Sequence, residues 1–474
     1  MAGWRADIIA RVKSVPSNNV PSKGLSPTER RAAWSLSLIY AVRMLGLFII
    51  LPVFSLFGDD YANATPLTIG IAIGIYGLFQ AVLQIPFGML SDRIGRKHVI
   101  TFGLILLASG SVIAAVADDV MTVIIGRALQ GAGAIAAALM ALAADLTRDE
   151  QRTKVMAMLG ASIGLSFLAA LMIGPVLIGW YSIDVLFWFT AGAAILAIVI
   201  LHTLVPDPVT CQYSADTGAN FATMRRLMSH PMLLRLDASI FLLHLLITAT
   251  FFAVPLALLN AGVTVEGQWR VYVPAVLISI AIMIPLLILA ERRAMRGTLM
   301  LCAGGLLVAL ALIGAAVGGL LPVMPLVASP VAWLFICVAL FFGFVNAFEA
   351  LLPSLVSRLS PAAAKGSAMG IYSSSQFLGA FVGGSGAGWL YGVVGASGLF
   401  ATLAALCLVW IGVLAGFRPP GHFTTHRRTL SEEQSLRADD TLAELESLPG
   451  VREVVLALDE GVAYLKVEKG VFVG

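Results

Sequence analysis

Charge is what this chain has least of. Of its 474 residues only 12% are charged, against about 25% in soluble domains. So little charge with 59% hydrophobic residues excludes a single soluble core and requires many membrane spans of about 20 residues each. Cysteine is scarce as well. Cys211, Cys302, Cys337 and Cys407 form no C-x-x-C pair, and three of the four lie in apolar runs. That pattern gives no disulfide framework and no metal site. There is no G-x-x-x-x-G-K-[ST] loop to cradle a nucleotide, so direct ATP drive is unsupported and no cofactor is expected. There is no nucleophile constellation, so an enzyme is not expected. The first 30 residues lack the apolar core of a secretory signal. They carry Arg5, Arg11, Lys13, Lys23, Arg30 and Arg31. RADIIARVKSV reads either as a short amphipathic surface helix or as a disordered leader.

What is present is a series of long apolar runs. Ser26-Pro27-Thr28-Glu29 is a capping box with proline at the first helical position, and it starts the first helix. Twelve runs follow, at about 34–57, 67–90, 98–117, 120–144, 154–179, 183–205, 233–259, 271–291, 298–321, 330–353, 366–391 and 394–416. Alternate loops differ in charge. One set holds Arg93, Arg96, Lys97, Arg148, Arg152, Lys154, Arg225, Arg226, Arg235, Arg292, Arg293, Arg296, Arg358 and Lys365. The other holds Arg270 against Asp59, Asp60, Asp118, Asp119, Asp184 and Glu266. The positive-inside rule puts the first set, and both termini, in the cytoplasm.

The chain repeats itself. Ile85-Pro86 precedes Asp92-Arg93, and Ile284-Pro285 precedes Glu291-Arg292, both at an offset of 199. Gly179-Trp180 and Gly388-Trp389 are expected to close the fifth and eleventh runs. The divisions that follow are a leader at 1–27, a six-helix half at 28–205, a polar loop at 206–232, a second half at 233–416 and a tail at 417–474. Pro419-Pro420-Gly421 ends the last span. In the tail, Asp439–Leu448 reads as a helix. Val451–Leu458 and Val462–Val467 read as strands around Asp459-Glu460-Gly461, and another strand is expected near Arg428–Glu432. This looks like the first part of a ferredoxin-like βαββαβ domain, incomplete.

The stretch Gln84–Lys97, QIPFGMLSDRIGRK, joins the second and third runs. Its Gly88, Leu90, Asp92, Arg93, Gly95, Arg96 and Lys97 follow G-x-L-x-D-R-x-G-R-K. A generic basic hairpin would explain the cations but not the acid or the glycine. This loop resembles the signature loop of the major facilitator superfamily. ERRAAWSL, RMLGLFIILPV, GRALQGAGAIAAALMAL, NAFEALLPSL and GSAMGIYSSSQFLGAFVGGS extend the resemblance over about 28–416, toward a bacterial inner-membrane branch with a small cytoplasmic tail domain. The resemblance implies an all-α membrane protein with twelve transmembrane helices in two pseudo-symmetric six-helix halves. To this the tail adds a small α+β, ferredoxin-like cytoplasmic domain. It also implies a monomeric, proton-driven transporter of an unspecified small molecule in the bacterial inner membrane, with no nucleic-acid partner.

Ionisable groups at membrane depth cost roughly 3 kcal/mol or more, so they are functional candidates. Arg43, Arg127, His244 and Glu349 fall in runs one, four, seven and ten. The resemblance implies that these runs line a central cavity. Arg43 either lines it or snorkels to the interface. Arg127 either tunes a proton site by its field or holds a backbone carbonyl. His244 is either a proton carrier or a satisfied core residue. Glu349, with Asn346 on the same helical face, either exchanges a proton or sits in a fixed salt bridge. Gln80, Gln84 and Gln376 are candidate wall residues. Gly174, Pro175 and Gly179 resemble part of an antiporter motif, although Ala170 and Trp180 replace two of its glycines; close packing through small residues explains them equally.

Two functions compete at this point: proton-coupled export of small organic molecules, or a transporter-like receptor signalling through its tail. Under the first, Asp92 is expected to dock on the start of the eleventh helix, Gly366 to Gly370, when the cytoplasmic side is closed. Arg96 and Asp145 would hold it in place.

Overall fold

The structure is a computed structural model that describes residues 24–207, 221–292, 295–321, 329–360, 364–417, 423–431, 434, 437–457 and 462–468. The leader before residue 24, Pro208, Cys211, Arg293, Pro322, the Pro419-Pro420-Gly421 stop and the Asp459-Glu460-Gly461 turn lie outside these residues.

Helix starts follow local chemistry. Helix α1 (Pro27–Phe48) begins at a reciprocal cap. The Ser26 hydroxyl accepts from Glu29 N at 3.2 Å, and Ser26 N donates to the Glu29 carboxylate at 2.8 Å. Thr65 and Thr68 repeat the device before α2 (Pro66–Ile94). Then come α3 (Arg96–Ala115), α4 (Val120–Ala132), α5 (Ala136–Asp145), α6 (Asp149–Trp180) and α7 (Asp184–Thr203). The short α8 (Phe221–Ser229) precedes α9 (Pro231–Asn260), α10 (Trp269–Arg292), α11 (Met295–Val317), α12 (Pro330–Leu359) and α13 (Lys365–Ala415).

Ten helical segments among the described residues are long and apolar enough to cross a membrane. Two expected boundaries move. The first apolar run reaches residue 57, but its helix stops at Phe48 and gives way to 3-10 turns at Phe54–Leu56 and Gly58–Asp60. The fourth run breaks between α4 and α5, where a side chain at Gly133 would meet the Gly103 carbonyl at 2.4 Å. The last two runs are two helical limbs, together α13, separated at Gly395, whose φ of 69° is left-handed, beside the expected break between 391 and 394. Gly388-Trp389 lies seven residues before that break, and Gly179-Trp180 closes α6.

The loops divide the molecule into a basic end, with Arg96 and Arg292, and an acidic end, with Asp119 and Glu266. The two halves meet through α2 against α13 and α6 against α10. Their hydrophobic core is continuous only toward the acidic end. There Ile49, Phe54, Ile69, Ala170 and Phe187 of the first half join one cluster with the second half. The first half's other buried residues, among them Leu36, Ile100, Leu139 and Leu159, form a separate cluster toward the basic end. The acidic end is also where backbones touch. A side chain at Gly388 would sit 2.1 Å from the Pro66 carbonyl oxygen, and one at Gly70 would sit 2.3 Å from the Gly384 carbonyl oxygen. Phe167 of α6 packs on Phe251 of α9 and Phe342 of α12, at centroid separations of 5.9 and 5.8 Å.

After the membrane helices come β1 (Phe423–Thr429), α14 (Ala438–Glu446), β2 (Val451–Ala457) and β3 (Val462–Glu468). The first strand ends at Thr429, where the sequence pattern placed it near Arg428–Glu432. The three strands form one antiparallel sheet in the order β1-β3-β2. Leu430, Leu445, Val454, Ala463, Leu465 and Val467 make its core.

Candidate functional site

Helix α12 carries Asn346 and Glu349 three residues apart, so they share a face. The Asn346 amide donates to Ser279 Oγ of α10 at 2.7 Å. Glu349 Oε1 lies 3.4 Å from His244 Nε2 of α9, and the same Nε2 lies 2.7 Å from the Gln376 amide of α13. The side chains of His244 and Glu349 are 17% and 37% exposed. Glu349 turns its carboxylate toward α9. The geometry makes one ring nitrogen serve two partners of opposite demand. Bare, Nε2 accepts from the Gln376 amide; protonated, it donates to Glu349. The two contacts cannot both be hydrogen bonds in one protonation state.

The first half places cations instead. Arg43, 1% exposed on α1, makes no hydrogen bond to any of the described residues through its three guanidinium nitrogens. Arg127, fully buried on α4, donates to the Ala72 carbonyl at 3.3 Å, the Gly46 carbonyl at 3.4 Å and the Gln130 side chain at 2.8 Å. Its guanidinium lies 5.1 Å from the Tyr76 ring centroid, and Gln130 in turn donates to Ser111 at 2.7 Å. Arg127 therefore ties α4 to α1 and α2. Gln80 and Gln84 are buried and bonded to each other along α2.

At the basic end Arg96 is the hub. It pairs with Asp92, donates to Ser91 Oγ at 2.8 Å and reaches Asp145 at 3.2 Å. Gly95, at φ 100°, makes the turn that sets Arg96 at the start of α3. Lys97 meets Asp207 at 2.7 Å, and its ammonium holds that carboxyl below the usual range. Arg93 is exposed, and Gly88 faces Ala137. Among the described residues no hydrogen bond or ion pair joins Asp92 to the start of α13. A side chain at Gly366 would meet nothing within 4 Å, and one at Gly370 would touch only Ile85, at 3.6 Å. The expected docking is thus absent from this arrangement, in which the core joins the halves toward the opposite end.

On α6, Pro175 sits within the helix. A side chain at Gly174 would meet the Ile49 carbonyl oxygen at 2.8 Å, and one at Gly179 would meet Glu266 Cβ at 2.4 Å. Both glycines serve close packing, the second of them across the two halves.

Sequence reasoning missed Asp237. It is 8% exposed on α9 and, with Leu227, Leu233, Ala368 and Ile371, lines a pocket too tight to hold a water. It lies six residues after Pro231 and two after Arg235, which made it look like a helix-end charge. Its spacing of seven from His244 was the available signal, because that spacing puts both on one helical face.

The sequence profile of the Major Facilitator Superfamily matches residues 36–319. The chain is 41% identical over 450 residues to the inner membrane transport protein YajR of Escherichia coli (strain K12), covering 94% of this chain and 96% of that protein. It is 31% identical over 357 residues to an uncharacterized transporter of Buchnera aphidicola subsp. Acyrthosiphon pisum, covering 75% of this chain and 89% of that one. Among solved structures, a bacterial homolog of the human lysosomal transporter Spinster, in an inward-facing and occupied conformation, superposes with a TM-score of 0.65. It is 15% identical and covers 83% of this chain and 96% of its own. A D-xylose–proton symporter superposes with a TM-score of 0.64 at 14% identity, covering 81% and 97%. At these identities the two structures share the fold.

Proposed function

Because the chain belongs to the major facilitator superfamily of membrane transporters, we propose that it is a proton-coupled secondary transporter that exports small organic molecules by alternating access. The observation that carries this reading is the His244 ring nitrogen shared between Gln376 and Glu349. A proton arriving there exchanges one hydrogen bond between α9 and α13 for another between α9 and α12. This changes how helices of the second half hold one another, which is what coupling requires. Asn346 and Arg43 complete the cavity set, the latter as the first half's uncompensated cation.

The membrane domain has twelve spans in this reading: α1, α2, α3, α4 with α5, α6, α7, α9 to α12, and the two limbs of α13. The basic end is cytoplasmic, and the membrane is a bacterial inner membrane, as the name of the E. coli relative supports. The core that joins the halves at the acidic end then describes a molecule sealed toward the outside. Gly174, Pro175 and Gly179 supply the support for export. In the tail, the sheet order β1-β3-β2 with a helix between β1 and β2 supports a ferredoxin-like arrangement. No observation favours the receptor reading.

The test starts with a thermal-protection screen of small organic compounds on purified protein. Compounds that protect are then assayed in proteoliposomes with and without a pH gradient. Gradient-dependent flux, lost in Glu349→Gln, is expected. Flux indifferent to the gradient overturns proton coupling.

A further inference from the structure

We propose that Asp237 and Tyr372 form the route by which protons pass between the cytoplasmic face and the Glu349–His244 pair. This rests on the proton-coupled reading. Three observations place the route. First, Asp237 and His244 stand seven residues apart on one face of α9, about two turns or 10 Å along the axis. Second, Ala368, Tyr372 and Gln376 stand four apart on one face of α13, the helix packed along α9. Ala368 lines the Asp237 pocket and Gln376 bonds His244. Tyr372 lies between them in sequence and along the helix. Third, the Tyr372 hydroxyl is buried and has no hydrogen-bond partner among the described residues.

The surroundings leave Asp237 free for this role. Arg235, on the same helix, is turned away and donates to the Val413 carbonyl at 2.5 Å. Arg225 and Arg226 on α8, His230 at the start of α9 and Lys365 at the start of α13 are exposed. From α8 the pocket receives Leu227, and from α13 it receives Ala368 and Ile371. Arg358 of α12, which packs on α9, is exposed as well, so among the described residues the ionisable side chains facing the route are Asp237, Tyr372, Glu349 and His244.

The transfer conserves protons. The phenol gives its hydrogen to the Glu349 carboxylate and takes one from protonated Asp237. One proton moves inward, the phenol is regenerated, and Asp237 is left ionised to be reprotonated from the cytoplasm. The reverse sequence discharges Glu349. In this arrangement the phenol bonds neither carboxyl, so the step requires Tyr372 to swing, or a water to bridge, to bring it within hydrogen-bond reach of each in turn.

The test needs no substrate. Purified full-length protein in lipid nanodiscs is followed by infrared difference spectroscopy after a pH jump. The carboxylic C=O band that disappears in Glu349→Gln reports Glu349. In Asp237→Asn and in Tyr372→Phe this band is expected to reach the same end point but about 10²-fold more slowly, the scale of a positioned acid's contribution. Asp237→Glu is expected to restore the rate, which a merely structural role for Asp237 would not predict. A Glu349 band that responds at the wild-type rate in both variants overturns the route and leaves proton coupling standing. A wild-type spectrum with no titrating Glu349 band overturns both.

Discussion

The two halves of this transporter bury opposite chemistry. The first half buries Arg43 and Arg127; the second holds Asp237, His244 and Glu349. A guanidinium stays charged at any physiological pH, whereas carboxyl and imidazole groups can change charge near neutrality when their surroundings shift them. Arg127 spends its donors on the carbonyls of Gly46 and Ala72 and on Gln130, so it works as a fixed strut. His244 turns one ring nitrogen to two competing partners, the geometry that the proposed switch requires. The difference suggests a division of labour. In the proposed function the first half would supply a rigid body and, through Asp92, Arg96 and Asp145, a motif that responds to the other half, and the second half would supply the groups that change charge.

The largest effect expected in the first half comes from its hub. Arg96 is a nearly buried cation between two carboxylates. Arg96→Ala leaves both uncompensated and is expected to cost about 3–5 kcal/mol of stability. A thermal melt of the purified variant is then well below that of wild type. Arg96→Lys, lacking the planar fork, recovers only part of the loss. A wild-type melt for Arg96→Ala would remove the hub from the account.

Next in size is the contrast between the two ends of the α2–α13 contact. Gly388→Ala forces a methyl against the Pro66 backbone, whereas Gly366→Ala meets open space. Overpacking of this kind costs about 1–3 kcal/mol. Gly388→Ala is expected to pry open the acidic end and raise the labelling of cysteines placed there, while Gly366→Ala leaves labelling unchanged. Equal responses from the two variants would contradict the packing asymmetry.

A smaller shift is expected for Asp92→Asn. A carboxylate on a helix start contributes about 0.3–1 kcal/mol exposed and up to about 2 when partly buried. Removing it is expected to favour the state seen here and to lower the labelling of acidic-end cysteines while folding stays normal. Unchanged labelling contradicts the docking of Asp92 on the start of α13. The smallest effect is assigned to the tail. Truncation at Pro420 is expected to leave flux at the wild-type level, and total loss of flux in a normally inserted truncation would refute this.

Much of this was legible in the sequence because it is local. Long apolar runs, the Ser26 cap and the charge alternation of the loops need only neighbouring residues to be read. The polar contacts were legible only as candidates. That Glu349 meets His244 rather than an arginine depends on how α12 sits against α9, which no spacing within one helix specifies. The break between α4 and α5 was hidden for a similar reason. The sequence around Gly133 reads as apolar helix, and only the fold shows the break and the Gly103 backbone of α3 lying against it. Asp237 was lost to its neighbour Arg235, because adjacent charges near a helix start resemble an interface. Only the fold shows one turned to Val413 and the other to the pocket.

The central claim is that protonation in the second half moves the two halves relative to each other. It is tested most directly by spin labels on Ile94→Cys and Lys365→Cys, one on each half at the basic end, in a background lacking reactive native cysteine. Double electron–electron resonance is recorded between about pH 5 and about pH 8, the range over which histidine changes charge. The account predicts that the ratio of long to short distances changes with pH when His244 and Glu349 are present and becomes insensitive to pH in the Glu349→Gln/His244→Ala double variant. A double variant that keeps the full pH response would contradict it.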